Sequence, residues 1–156
     1  MLKVTIDNII YDERKIYERL KSICIDQLSE FFTIHMSFSW MEGYVSNDIL
    51  FIDKLIQSYQ KHKERLNNTE VNRYQHLSIL KKELESIDFS GYSKDNQDMK
   101  IEYQINLAVK LAIMYKHLLQ SFEFVDFDPV KFLYKITSTE YQRNRTGLKI
   151  AKDVIR

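Results

Sequence analysis

The groups in this 156-residue chain that could transfer a proton, attack a carbonyl or hold a metal are four histidines, one cysteine and 22 carboxylates. His62 and His76 have the most suggestive spacing. A helical hairpin turning at Asn67 to Thr69 would bring their arms together, with Glu64 and Glu70 alongside. Zinc sites take three or four protein ligands, and polar residues beside a turn are usually just solvated, so no bound metal and no cofactor are expected. His117 shares its segment with Lys116 and Gln120 and reads as exposed, while His35 sits between Thr33 and Ser37 on a polar face. Cys24 falls in register with Leu20 and Leu28, the position of an inert core thiol rather than a nucleophile. There is no phosphate-binding glycine loop, no GxSxG elbow, no HExxH and no calcium loop, and glycines only at 43, 91 and 147 disfavour a dinucleotide fold. No catalytic residue is nominated, and an enzyme is the less favoured reading.

Two binding chemistries remain. Ten Tyr, nine Phe and one Trp exceed what the core of such a chain obviously requires, and aromatic anchors amid charged neighbours are what protein interfaces favour. Tyr11, Tyr44, Phe89, Tyr92 and Tyr103 fall at element edges or in linkers and are the candidate contact residues. The leading expectation is a non-enzymatic protein-binding module, such as a small inhibitor, an immunity-type protein or an assembly subunit, binding another protein or itself. The alternative is a nucleic-acid-binding protein using its basic C-terminal region. There Lys131, Lys135, Arg143, Arg145, Lys149 and Lys152 interleave with Tyr141, and phosphate contact requires such cations to be exposed.

The elements that must position these groups read as mostly helical. Leu2, Val4 and Ile6 alternate with polar residues, the period of a short strand. Asp12 can cap a helix over about 12 to 30, where Ile16, Leu20, Ile23, Cys24 and Leu28 recur at spacings of three and four. The stretch from Phe32 to Trp40 would be apolar on nearly every side as a helix. As a strand it sorts cleanly, with Phe32, Ile34, Met36, Phe38 and Trp40 on one face and Thr33, His35, Ser37 and Ser39 on the other. It is therefore expected to pair with the N-terminal strand. Ser46 or Asn47 then caps a helix over about 48 to 66, and Asn68 or Thr69 one over 69 to 87. A single long helix across Asn67 and Asn68 competes, since Asn costs a helix interior less than about 1 kcal/mol.

Residues 88–98 read as a linker, and Ile101 to Phe122 as the most apolar helix and hence the central one. Asp128 as cap with Pro129 at the first helical position starts a further helix ending near Tyr141. A short last helix around Leu148 to Ile155 follows, in a basic 142–156 segment that packs only partly. The expected architecture is mainly α: one domain over 1–156, five or six helices in a compact bundle, with a small N-terminal two-stranded β element.

Composition agrees. The apolar share of 44 %, three Gly and one Pro suit helices, and this length buries a sizeable core without staples. A lone cysteine excludes an intramolecular disulfide. No segment has the apolar length of a membrane span, so a cytoplasmic protein without a membrane partner is expected. The net charge of +1 conceals blocks: seven basic and three acidic residues from Asp53 to Lys82, two and six from Glu83 to Glu102, seven and two from Lys131 to Arg156. These could steer a charged partner or meet one another in the fold.

Overall fold

A computed structural model describes the backbone of residues 2–32, 38–89 and 97–141, and side chains within 2–30, 42–89 and 102–138. The described residues form a mainly α bundle of five helices with an N-terminal antiparallel hairpin, as the sequence leads one to expect. The second strand, however, is not the one expected. β1 (Val4–Ile6) pairs with β2 (Ile9–Tyr11), in the register Val4 to Tyr11, Thr5 to Ile10 and Ile6 to Ile9. Asp7 and Asn8 form the turn with φ of 51° and 68°. Two consecutive left-handed residues are what a two-residue hairpin of the right twist needs, and Asp and Asn tolerate that region best after Gly.

Helix α1 (Glu13–Phe32) opens under Asp12, whose Oδ1 accepts the Lys15 amide at 2.8 Å. Helix α2 (Phe38–Lys61) starts well before the expected cap, and Ser46 lies inside it with its hydroxyl on the Glu42 carbonyl. The strand expected over Phe32–Trp40 is therefore helical at both ends, and its middle, residues 33–37, lies outside the described residues. Local pairing across a two-residue turn closes a far smaller loop than pairing 4–6 with 32–40, which favours the hairpin. Gly43 is simply a helical residue of α2.

After the short 3₁₀ turn Lys63–Arg65, α3 (Asn68–Glu85) begins under Asn67. Its capping box is complete: Asn67 Oδ1 accepts the Glu70 amide at 2.8 Å and Glu70 Oε1 accepts the Asn67 amide at 3.1 Å. Two orphan amides are satisfied there, so the chain breaks into a helical hairpin instead of one long helix. α4 (Gln97–Gln120) and α5 (Pro129–Tyr141) follow. Asp128 Oδ1 accepts the Val130 amide at 2.9 Å, as its place before Pro129 implies. The last helix suggested around Leu148 to Ile155 lies outside the described residues.

Side-chain pairs give the directions. Lys81 to Asp53 and Gln60 to Tyr74 set α2 antiparallel to α3. Lys110 to Glu83 and His117 to His76 do the same for α3 and α4, and Tyr115 to Gln27 with Phe122 to Tyr17 for α4 and α1. The first four helices thus run up and down around one core, with α5 packed on α1 and α4. α4 is central as expected: Ala108, Leu111, Ala112, Tyr115, Leu118 and Leu119 are all essentially fully buried. Among the described residues no helix is long and apolar enough to cross a membrane.

Candidate docking face

Among the described residues, exposed aliphatic side chains stand on the N-terminal hairpin and on the helix it leans on. Ile9, Ile10 and Leu50 are 49, 60 and 59 % exposed. The register explains the hairpin residues. Val4 and Ile6 share the inner face and are buried, whereas Ile10, opposite Thr5, points away from the bundle. The helix explains Leu50. At about 100° per residue it lies nearly opposite the buried stripe of Ile52, Leu55, Ile56 and Tyr59, in line with Lys54, Gln57 and Lys61.

Two contacts join these elements into one surface. Lys54 Nζ meets Asp7 Oδ1 at the hairpin turn, 2.7 Å apart, and the Tyr11 ring meets Phe51 edge-on with centroids 5.5 Å apart. The Arg19 guanidinium covers Phe51 at 5.3 Å. Leu50 stands one helical turn before Lys54, beside the hairpin.

Cations border this apolar centre. Lys3, Lys61, Lys63 and Arg65 are exposed and make no ion pair among the described residues, in contrast to Lys21, Lys54, Arg73, Lys81, Lys110 and Lys116. The 3₁₀ turn carries two of them, Lys63 and Arg65, and Lys61 ends α2 just before it. Recesses of about 240 and 530 Å³ open along it, the first between Lys3, His62, Arg65 and Glu70, the second between Gln60 and Arg65.

A further recess of about 250 Å³ reaches Glu13, Glu70, Arg73 and Glu123. Arg73 is 3 % exposed and ties four elements together. Its Nη2 donates to Glu13 Oε1 at 2.8 Å and to the Ser121 carbonyl at 2.9 Å, its Nη1 to the Tyr59 hydroxyl at 3.4 Å, and its plane lies 3.8 Å over Phe122. Nε has no partner among the described residues. A guanidinium held through both terminal nitrogens is a structural clamp: its charge is already committed to Glu13.

The residues singled out for chemistry behave as follows. Cys24 is buried, and burial pushes its thiol far above the ordinary range, so it is no nucleophile. His76 does not face His62; its ring stacks beside that of His117 across the α3–α4 seam, while His62 lines the turn recesses. His117 is exposed, as expected, and His35 lies outside the described residues. Among the described residues no group of three or more His, Cys, Asp or Glu is placed to hold a metal.

The aromatic candidates are dispersed. Tyr11 belongs to the hairpin face. Tyr44 is half-buried, its hydroxyl held in the neutral form by burial and by the nearby Asp26 carboxylate. Phe89 packs against the core edge, and Tyr103 joins it at the α3–α4 end, where its hydroxyl accepts the Asp88 amide at 3.3 Å. Tyr92 lies outside the described residues. Of the basic candidates, Lys131 and Lys135 are exposed on α5 on either side of Tyr134, itself 50 % exposed. Tyr141 ends that helix, with its side chain outside the described set, and Arg143, Arg145, Lys149 and Lys152 lie beyond the described residues.

Sequence reasoning missed Ile9, Ile10 and Leu50 as surface residues. A signal existed for each: Asp7-Asn8 between two aliphatic pairs marks a hairpin, and Leu50 is out of phase with its helix. Comparison with known proteins finds no family model, no curated protein and no solved structure that matches the chain.

Proposed function

We propose that this chain is a non-enzymatic protein-binding module whose partner docks on the hairpin and the adjoining face of α2. The observation that carries this reading is the exposure of Ile10 and Leu50, each more than half exposed, on two elements fastened by Lys54 to Asp7 and Tyr11 to Phe51. An apolar centre with a charged rim is the anatomy of a specific interface. The rim cations Lys3, Lys61, Lys63 and Arg65 call for a partner segment with aliphatic anchors flanked by carboxylates. A second copy of the chain is a poorer complement, because an isologous contact would set this basic rim against itself. A cytoplasmic setting suits a module with one buried, unpaired thiol.

The test begins with co-purification from the native source and reconstitution with the stoichiometric partner. I10D and L50D are then each expected to weaken binding by about tenfold or more, the loss typical of a central anchor. Reversal of Lys61, Lys63 and Arg65 to Glu should slow association and remove most of its salt dependence. A partner bound equally well by I10D and L50D would refute this face.

Nucleic acid is the second reading, favoured by Tyr134 standing exposed between Lys131 and Lys135 on α5. It expects DNA or RNA affinity that falls steeply with salt and disappears on charge reversal of Lys131, Lys135, Arg143 and Arg145. Absence of binding at low salt removes it.

A further inference from the structure

The seam between α3 and α4 carries an ion pair at one level and a pair of imidazoles at another. Lys110 of α4 meets Glu83 of α3 at 2.8 Å. Two helical turns further along each helix, the same register sets His76 of α3 against His117 of α4. Their ring centroids are 6.0 Å apart and their planes differ by 11°, so the rings stack. Nitrogens lying in two stacked, near-parallel planes do not point at one another, and the rings cannot share a proton through a hydrogen bond.

Charged groups on the helices packed around the pair are engaged elsewhere. Arg73 of α3 holds Glu13 of α1, Lys81 of α3 holds Asp53 of α2, Glu83 holds Lys110, and Lys116 of α4 meets Asp128 at the head of α5. Of the residues one turn from either histidine on its own helix, only Arg73 is charged. Neither imidazole has an ion-pair partner among the described residues, and the charge that acts on His76 is that of His117. One imidazolium stacked on a neutral ring is a cation over an aromatic face, which is favourable. Two imidazoliums have only their mutual repulsion.

We propose that the stacked His76 and His117 form a proton-sensitive latch, which secures α3 against α4 while it carries at most one proton and opposes their packing when it carries two. The sign follows from the surroundings of His76. Burial, and after it His117, hold this half-buried ring below the usual histidine range. The unfolded chain, whose imidazole titrates near 6.5, therefore takes up its proton first as pH falls. Stability linked to His76 is fully present above that value and is lost as pH drops through the folded one. Exposed His117 gives protons direct access to the pair from solvent.

The test uses the full-length protein, with imidazole proton titrations by NMR and melting temperatures measured from about pH 8 to about pH 5, the range in which histidine changes charge. In H117Q the His76 titration should move upward toward 6.5, because the second charge is gone. Over the same range the melting temperature of the wild type should fall by about 2 °C or more beyond that of H117Q, the scale of a repulsion of about 1 kcal/mol in a chain of this length. H76Q should flatten the pH dependence in the same way, and H62Q should leave it as in the wild type. H117Q replaces an exposed side chain, so it carries the comparison should H76Q fold poorly. A His76 titration unmoved by H117Q overturns the latch, as does a melting temperature that falls equally in the wild type and H117Q.

Discussion

Asp48 carries a carboxylate into the interface of α1, α2 and α4, where it is 7 % exposed. Gln27 Nε2 donates to its Oδ2 at 2.9 Å, and the Tyr115 hydroxyl donates to Gln27 Oε1 at 2.7 Å. Burial raises the carboxyl above its ordinary 3.8, opposed by the Gln27 hydrogen bond and the charge of Arg19. From 3.8 up to that raised value the folded chain binds the proton that the unfolded chain has released, so stability falls as pH rises and the full cost is present at neutral pH. Asp48→Asn keeps an oxygen acceptor for Gln27 and removes the buried charge. It should melt higher than the wild type at pH 7, with the gap narrowing as the buffer is acidified toward 3.8; a lower melting temperature at pH 7 would contradict this account. None of this was legible locally, because Asp48 sits beside Ser46 and Asn47 in a stretch that reads as a helix cap. Its burial depends on partners 21 residues away and, through Gln27, on Tyr115. Cys24 was legible for the opposite reason: its environment follows from its phase with Leu20 and Leu28 on its own helix.

At the level of elements, the sequence placed boundaries well wherever a side chain caps its own helix. Asp12 and Asp128 with Pro129 act within three residues, while at α3 the cap is Asn67, one residue before the expected Asn68 or Thr69. It failed at Phe32–Trp40, where an alternation compatible with a strand met two flanking helices that extend into it. In the sequence Arg73 stands only as one of the seven basic residues from Asp53 to Lys82. The helices close around Arg73 instead, and its guanidinium links α1, α2, α3 and the end of α4. Arg73→Met should therefore strand the Glu13 carboxylate and leave the Ser121 carbonyl unpaired. A loss of about 3 to 5 kcal/mol in urea unfolding is expected, the usual result of breaking a buried pair from one side. A loss below about 1 kcal/mol would mean that the clamp is dispensable.

For the molecule as a whole, α4 is surrounded by α1, α3 and α5 and should exchange its amides last. Protection is expected to peak between Leu107 and Leu119, and rapid exchange there, with slower amides elsewhere, would remove its central role. The sequence by itself determined the helical class, the apolar identity of α4, the caps, the inert thiol and the want of a recognisable catalytic motif. Each of these rests on composition or on spacing within a few residues. Tertiary structure alone decided which strand pairs with β1, where Asp48 and Arg73 are buried, that His76 meets His117 rather than His62, and that Ile10 and Leu50 are left exposed. Those outcomes depend on how independent helices and the hairpin set their register against one another. Periodicity states which face of an element is apolar, but only packing determines which faces are left uncovered and what stands beside them.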